Sequence, residues 1–185
     1  MTKEVFQEAE KAMKRALDAT QRNFNSVRTG RASLALLDHI SVDYYGTPTP
    51  LNQVATLSVP EKRMITIQPW DSSFIPAIEK AILKSELGIT PTNDGRVIRI
   101  TIPPLTEERR RELVKVVRRM AEEGRVMVRS SRREVNELLK AKEKEKLISE
   151  DDLHRALEKV QELTDRHIKD IDEMLAKKER EILEF

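Results

Sequence analysis

The chain of 185 residues contains no cysteine, only 4% aromatic residues and no long hydrophobic run. Without cysteine it can form no disulfide, no catalytic thiolate and no cysteine-ligated zinc or iron–sulfur site, and a reducing compartment is favoured. No segment approaches the ~20 consecutive apolar residues that a membrane-spanning helix needs. Charges at helical spacing begin near the N-terminus, so we expect no targeting segment. These absences predict a cytoplasmic protein with no membrane association.

The signatures of enzymes are missing as well. The histidines His39, His154 and His167 are scattered and form no pair at metal-ligand spacing. The five glycines are spread over the whole chain, so there is no glycine-rich phosphate loop. The acidic run Glu150–Asp152 fits the start of a helix better than an acid–base pair. We therefore expect no catalytic residue, no metal and no cofactor, and a metal-free hydrolase is disfavoured.

Proline is confined to one stretch of the chain. All eight prolines fall between Pro48 and Pro104, and the remainder has none, as long uninterrupted helices require. This distribution predicts a discontinuous helical domain of residues 1–30 and 105–185, with residues 31–104 inserted as a second domain. We expect the two crossings between the domains to lie close together and to act as a hinge. The predicted hinge residues are Gly30, Arg31, Ala32, Pro103, Pro104 and Leu105.

Each of the three proline-free segments carries one apolar stripe at steps of three and four residues. The first segment ends near Gly30, the second runs from Thr106, as N-cap, to Lys146, and the third opens with the capping box Ser149–Asp152. The first stripe is Phe6, Ala9, Met13, Ala16, Thr20, Phe24 and Val27. The second is Leu113, Val117, Met120, Gly124, Val128, Ser131, Val135 and Leu138. The third is Leu153, Leu157, Val160, Thr164, Ile168, Ile171, Leu175 and Ile182.

Helices with a single apolar face can bury it only against one another, which predicts a three-helix bundle. An extended two-helix coiled coil with a loose N-terminal segment is the alternative, and it would leave Phe6, Met13 and Phe24 exposed. Gly124 lies inside the second helix, where glycine costs ~1 kcal/mol relative to alanine. It therefore indicates a close approach of two helices.

The inserted domain has the pattern of a small α+β fold. Alternation and short apolar runs predict four strands, at residues 40–45, 54–59, 64–68 and 97–102. Residues 73–87 predict one helix, with Leu83 on its apolar side and Gly88 as its stop, and Trp70 is expected in the core. The fold class is thus α+β with two domains, a long three-helix bundle and an inserted small β/α/β domain.

The charges, 34 Lys and Arg against 32 Asp and Glu, balance in total but not in position. Residues 109–133 contain ten basic and three acidic side chains, which gives 10 − 3 = +7. Residues 149–185 contain seven basic and twelve acidic side chains, which gives 7 − 12 = −5. At ~100° per residue, several arginines of the second helix form one stripe beside its apolar seam. This arginine stripe is Arg111, Arg118, Arg125, Arg129 and Arg132, with Glu122 at its margin.

Arginine binds phosphate through two parallel hydrogen bonds and stacks on bases, which predicts that the arginine stripe contacts the backbone of structured RNA. Carboxylates of the acidic third helix could pair with the same arginines instead, and the chain would then be a helical adaptor for another protein. The residues alone leave both alternatives open. Arg28 and Arg31 add basic character at the first crossing.

Motifs along the chain resemble those of the bacterial ribosome recycling factor family. In the family's order they are Val27–Ala32, Val42–Leu51, Ile78–Ile82, Pro103–Arg110, Ala121–Arg125, Arg129, Arg132–Glu134, Ile148–Asp152 and the terminal Phe185. They span nearly the full length, which makes the resemblance highly specific. Ser130 and Ser131 depart from the asparagine and bulky apolar residue that are usual between the two arginine positions.

The resemblance implies a protein of tRNA-like size and outline that performs no chemistry itself. It implies that the chain, with elongation factor G and GTP hydrolysed by that partner, dissociates the post-termination ribosome into subunits for reuse. The bundle is implied to contact large-subunit ribosomal RNA, and we expect a monomer. Stripe and resemblance together predict the ribosome-binding residues Arg28, Arg31, Arg110, Arg118, Arg125, Arg129, Arg132 and Arg133.

Overall fold

The structure, a computed structural model, describes residues 2–184, apart from the side chain of Thr2. The α-helices in this range are α1 (Thr2–Ser26), α2 (Ile75–Lys84), α3 (Glu107–Lys144) and α4 (Glu150–Leu183). The strands are β1 (Ser41–Tyr44), β2 (Thr47–Pro50), β3 (Ala55–Glu61), β4 (Met64–Pro69), β5 (Thr92–Asn93) and β6 (Ile98–Thr101). The described chain divides into two compact units, a helical unit of residues 2–28 and 107–184 and an inserted unit of residues 29–106. Phe185, the last motif residue, lies outside the described residues.

Helices α1, α3 and α4 form a three-helix bundle in which each helix packs against the other two. Its interior is filled by side chains from all three, among them Met13 and Phe24 of α1, Val117 of α3 and Ile171 of α4, all at most 1% exposed. Because Met13 and Phe24 are buried, the two-helix alternative is wrong and the predicted bundle is confirmed.

Helices α1 and α3 approach each other closely at Gly124. A Cβ atom at this position would overlap Thr20 Oγ1 of α1 and lie 3.3 Å from Ile171 Cδ1 of α4. The hydroxyl of the buried Thr20 donates to the carbonyl of Ala16 at 2.9 Å, which satisfies it inside the bundle. Glycine at this position therefore permits the helix contact that the sequence predicts.

A short connection joins α3 to α4. Ser149 Oγ accepts a hydrogen bond from the backbone N–H of Asp152 at 3.1 Å, and the Asp152 carboxylate accepts one from the N–H of Ser149 at 3.4 Å. Hydrogen bonding with Ser149 lowers the pKa of the Asp152 carboxyl group, and the Ser149 side chain has a larger effect than the Ser149 backbone. The predicted capping box at the start of α4 is confirmed.

The inserted unit contains an antiparallel sheet with the strand order β3-β4-β6-β5, and β1 and β2 form a separate hairpin. Helix α2 follows β4 in the chain and buries Ile78 and Ile82 in the same core as Ile65 of β4 and Ile98 of β6. The small α+β insert that the sequence predicts is thus present, with its core built from residues 32–102.

Several details of the sequence prediction are wrong. Helix α2 is shorter than residues 73–87, and Leu83 is 59% exposed. Trp70 is 70% exposed rather than in the core, and its Nε1–H donates to Thr56 Oγ1 at 3.2 Å. In α3 the buried position is Leu139, whereas Leu138 is 48% exposed. Helix α1 ends at Ser26, so Gly30 does not terminate it.

The entry and exit of the inserted unit both bind the turn between β3 and β4. The N–H of Ala32 donates to the carbonyl of Lys62 at 2.8 Å, and the N–H of Ile102 donates to the carbonyl of Arg63 at 2.7 Å. Gly30 has a φ of +76°, and a Cβ atom there would lie 3.0 Å from Leu105 Cγ. The two passages of chain therefore run side by side within this unit.

Candidate nucleic-acid interface on helix α3

Three arginines of α3 form a row along the groove between α3 and α4. Arg118, Arg125 and Arg132 are spaced by seven residues, and seven residues return a helix to nearly the same angle. Each of the three contacts a side chain of α4. The row gives the arginine stripe a defined position, at the edge of the bundle interior.

Arg118 and Arg125 are neutralised by carboxylates of α4. Arg118 Nε lies 2.5 Å from Glu179 Oε1, and this hydrogen bond raises the pKa of the Arg118 guanidinium. Arg125 Nη2 lies 2.6 Å from Asp172 Oδ1. Burial opposes the charge of Arg125, but its hydrogen bonds to Asp172 and Glu122 outweigh burial and raise its pKa. The adaptor alternative thus describes these two arginines correctly as interhelical ion-pair partners.

Glu122, at the margin of the arginine stripe, lies between two arginines of its own helix. Its carboxylate accepts a hydrogen bond from Arg125 Nη1 at 3.0 Å and another from Arg129 Nη2. The bond from Arg125 is the larger of the two effects, and together they lower the pKa of Glu122. Arg125 and Arg129 thus face two carboxylates, Glu122 and Asp172, and the only carboxylate partner of Arg129 among the described residues is the one that it shares with Arg125.

The next two arginines along α3, Arg132 and Arg133, have no carboxylate partner among the described residues. Arg132 Nη1 donates to Gln161 Oε1 of α4 at 3.2 Å, a neutral partner. Arg133 is exposed and makes no hydrogen bond or ion pair within the part of the chain that the structure describes. Guanidinium groups without a carboxylate partner are consequently found at Arg132 and Arg133, and such groups can bind a phosphate through two parallel hydrogen bonds.

The remaining predicted arginines lie elsewhere. Arg110 is in the first turn of α3, about 33 Å along the helix from Arg132 at ~1.5 Å per residue. Its Nη1 donates to the carbonyl of Leu183 at 3.1 Å, at the C-terminal end of α4, while its buried Nε has no partner among the described residues. Arg28 is exposed after α1, and Arg31 is exposed in the inserted unit. Along α3, Arg110 therefore lies apart from Arg129, Arg132 and Arg133.

A second exposed cluster lies in the inserted unit, and sequence patterns did not predict it. The Tyr45 ring, 80% exposed, lies 4.7 Å from the Tyr44 ring and 5.6 Å from the Phe74 ring, centroid to centroid. Tyr45 sits in the β1–β2 turn with a φ of 49°, next to Gly46. A two-residue turn with this backbone presents its side chain outward, which the strand alternation at residues 40–45 could not indicate.

Gln161 is the contact residue of the groove that sequence reasoning missed. Acidic residues recur on α4 with the same seven-residue period as the arginines of α3, but Gln161 is not part of that series, so the period alone does not identify it. Among residues 2–184, no group of three or more His, Asp and Glu side chains could hold a metal ion. No helix in that range is long and apolar enough to cross a membrane.

Comparison with known proteins assigns the family. The model of the ribosome recycling factor family matches residues 20–183. The ribosome-recycling factor of Syntrophus aciditrophicus is 59% identical over 181 residues, 98% of both chains. That of Syntrophomonas wolfei is 56% identical over 184 residues, 100% of both chains.

Two solved structures are similar over the whole chain. A solution structure of ribosome recycling factor has 48% identity and a TM-score of 0.75, and the match covers 100% of this chain and 98% of that chain. The second has 47% identity and a TM-score of 0.65, with 99% of each chain covered. It comes from models of the T. thermophilus ribosome recycling factor and the E. coli elongation factor G bound to the E. coli post-termination complex. Sequence and fold agree over the full length, and the chain belongs to the ribosome recycling factor family.

Proposed function

We propose that this chain binds the post-termination ribosome in the cytoplasm and promotes its dissociation into subunits for reuse. Family membership makes it a non-enzymatic translation factor, so GTP is hydrolysed by its partner, elongation factor G. The support for this partner is the similar protein's complex with elongation factor G on a post-termination ribosome. The chain acts as a monomer in this proposal.

The proposed contact with large-subunit ribosomal RNA is the part of α3 that carries Arg129, Arg132 and Arg133. The observation that supports it is the difference between Arg132, which faces a neutral amide, and Arg118 and Arg125, which face carboxylates. A guanidinium without a carboxylate partner gains more from a phosphate, because no ion pair has to be broken first. Structured RNA is read mainly through such backbone contacts.

The paired arginines receive a different role. Arg118 and Arg125 join α3 to α4 through Glu179 and Asp172, and Arg110 donates to the carbonyl of Leu183 at the end of α4. A cation at a helix C-terminus also interacts favourably with the helix dipole. We assign these three arginines to the bundle rather than to RNA, and Arg28 and Arg31 to contacts near the first crossing.

We also propose that residues 30–32 and 103–105 act as a hinge that lets the inserted unit move when elongation factor G binds. The supporting observation is that the compact units divide at residues 28/29 and 106/107, next to these segments. Two adjacent single passages of chain can change their dihedral angles while the core on either side stays packed.

The RNA contact is tested with Arg132→Ala and the double variant that also carries Arg129→Ala, with Arg118→Ala as the matched control. Arg118 lies on the same helix as Arg132, in the same seven-residue row, and carries the same charge, but it is paired with Glu179. Co-sedimentation with purified large subunits should show about tenfold weaker binding for Arg132→Ala and a further loss for the double variant, because charge-assisted hydrogen bonds are worth about 1.5–3 kcal/mol each.

Salt dependence separates a phosphate contact from a change in the fold. The slope of log affinity against log salt should fall by about 0.7–0.9 for each lost phosphate contact. Arg118→Ala should keep the wild-type slope, and all variants should keep the helical circular dichroism of the wild type. Full-strength binding by the double variant would exclude the proposed RNA contact and favour the adaptor alternative.

A further inference from the structure

The groove between α3 and α4 contains a ladder of ion pairs with a constant period. Arg118 pairs with Glu179 at 2.5 Å, and Arg125 pairs with Asp172 at 2.6 Å. A step of seven residues forward along α3 is matched by a step of seven residues back along α4, as two antiparallel helices require. One further step places Arg132 opposite Asp165.

The third rung of this ladder is not an ion pair. Arg132 Nη1 donates to Gln161 Oε1 at 3.2 Å, and Gln161 Nε2 donates to Asp165 Oδ1 at 2.8 Å. The side-chain amide of Gln161 therefore lies between the guanidinium and the carboxylate and bonds to both. Among residues 2–184 Arg132 forms no ion pair.

An amide suits this place because it has both an acceptor and donors. Its oxygen accepts a hydrogen bond from Arg132 and fixes the direction of the guanidinium. Its nitrogen donates a hydrogen bond to the Asp165 carboxylate, which is then not available to Arg132. Neither bond removes the positive charge of Arg132. A glutamate at position 161 would accept from Arg132 equally well, but it would neutralise the charge that an RNA phosphate would meet.

We propose that Gln161 is a positioning residue, which orients Arg132 and keeps Asp165 from it so that the guanidinium stays available to an RNA phosphate. The inference rests on the proposed function of Arg132 and adds a residue on a different helix, outside the arginine stripe. It also explains why, within this row, only Arg132 lacks a carboxylate partner. Arg118 and Arg125 contact Glu179 and Asp172 directly, with no side-chain amide between them.

The test compares Gln161→Glu with the double variant Q161E/D165N. The single variant places a carboxylate next to Arg132, and the double variant does the same while keeping the net charge of the wild type. Both should bind large subunits five- to tenfold more weakly than the wild type. Their salt slope should fall as it does in Arg132→Ala, a readout that a merely structural role of Gln161 would not change.

Gln68→Glu in β4 is the control for added negative charge, because Gln68 is exposed in the inserted unit. It should bind like the wild type. Thermal unfolding should be unchanged or higher for Q161E/D165N, since that variant gains an ion pair with Arg132 without placing two carboxylates side by side on α4. A lowered midpoint together with weaker binding and an unchanged salt slope would mean that Gln161 is structural, which overturns the inference.

The outcomes separate the inference from the proposed function. If Arg132→Ala binds weakly and Q161E/D165N binds like the wild type, the role of Gln161 is excluded and the RNA contact stands. If Arg132→Ala itself binds at full strength, the RNA contact and the role of Gln161 both fall. Weak binding by Arg132→Ala, Gln161→Glu and Q161E/D165N, with Gln68→Glu unaffected, supports both.

Discussion

Single carboxylates in exposed turns stabilise the inserted unit. Asp94, which precedes β6, accepts hydrogen bonds from the N–H groups of Val97 at 2.9 Å and Arg96 at 3.0 Å and from Arg99 Nη1 at 3.0 Å. The bond from Val97, followed by those from Arg96 and Arg99, lowers the pKa of Asp94 from 3.8 to about 2. Because the folded pKa lies below the unfolded one, the ionised group stabilises the fold above pH 3.8 and loses this contribution as the pH falls toward 2.

Asp94→Asn should therefore lower the stability of the inserted unit at pH 7, and the difference from the wild type should shrink between about pH 4 and pH 2. Urea unfolding, monitored by the fluorescence of Trp70, measures the stability of this unit in each variant, since Trp70 is the only tryptophan and lies in this unit. Glu86→Gln is the control, because Glu86 is exposed and makes no hydrogen bond within the described chain. A difference that stays constant with pH would contradict the role of the Asp94 charge.

At the scale of secondary-structure elements, the bundle depends on how closely α1 approaches α3. The two helices meet where Gly124 faces Thr20, and the third helix contributes Ile171 to the same place. Thr20 cannot rotate away freely, because its hydroxyl is bound to the Ala16 carbonyl and its branched Cβ is buried. A larger residue at position 124 must therefore separate the helices.

Gly124→Ala should destabilise the bundle by up to about 2 kcal/mol, since overpacking costs about 1–3 kcal/mol and alanine returns ~1 kcal/mol of helix propensity. Urea unfolding followed by far-ultraviolet circular dichroism gives the value. The double variant Thr20→Ala with Gly124→Ala should lose less stability than the two single variants added together, because the overlap with Oγ1 is gone. Simple additivity would show that the two positions do not clash.

At the scale of the whole molecule, the inserted unit is self-sufficient in its core. Its buried cluster, from Ala32 to Ile102, contains no residue of α1, α3 or α4. Ile65, Ile67, Ile98 and Ile100 in the sheet are completely buried within this cluster. A core that belongs to one unit alone is what independent folding requires.

Residues 29–106 expressed alone should fold cooperatively, with marginal stability because a chain of this length buries a smaller share of its surface than a larger domain does. Heat or urea should produce a single transition in Trp70 fluorescence. The same fragment with Ile67→Ala should be unfolded or nearly so, because truncation of a buried isoleucine costs about 2–5 kcal/mol. The absence of any transition in the parent fragment would contradict the division of the chain into these units.

The helices of the bundle could be predicted almost completely, because 3.6-residue periodicity is a strong signal and Pro103 and Pro104 shortly precede the start of α3. Of the predicted seam of α3, Leu113, Val117, Gly124 and Val128 are buried, whereas Met120 is half-buried beside the buried Ala121. Beyond Val128, steps of seven residues drift away from the buried face of a straight helix, which explains the exchange of Leu138 for Leu139.

The missed strands have a local physical reason. Strand β2 contains Pro48 and Pro50, which lack an N–H for a ladder bond, and it pairs with β1 alone. Strand β5 has only two residues. Neither leaves a pattern that alternation could reveal.

The electrostatic partners could not be predicted, since they depend on the register of two helices. The sequence shows that α3 is basic and α4 acidic, but the assignment of Glu179 to Arg118 and Gln161 to Arg132 needs their alignment in space. The predicted stripe of equivalent arginines therefore separates in the structure into paired and unpaired members.

The insertion between α1 and α3 also determines the order in which the bundle can assemble. Helices α3 and α4 are joined by residues 145–149 alone, so their contacts near this connection are local and form early. Helix α1 is synthesised first, yet the side chains that cover Met13 and Phe24 belong to segments that follow residue 106. During translation α1 must wait with its apolar stripe unburied, and its docking is the step that closes the bundle.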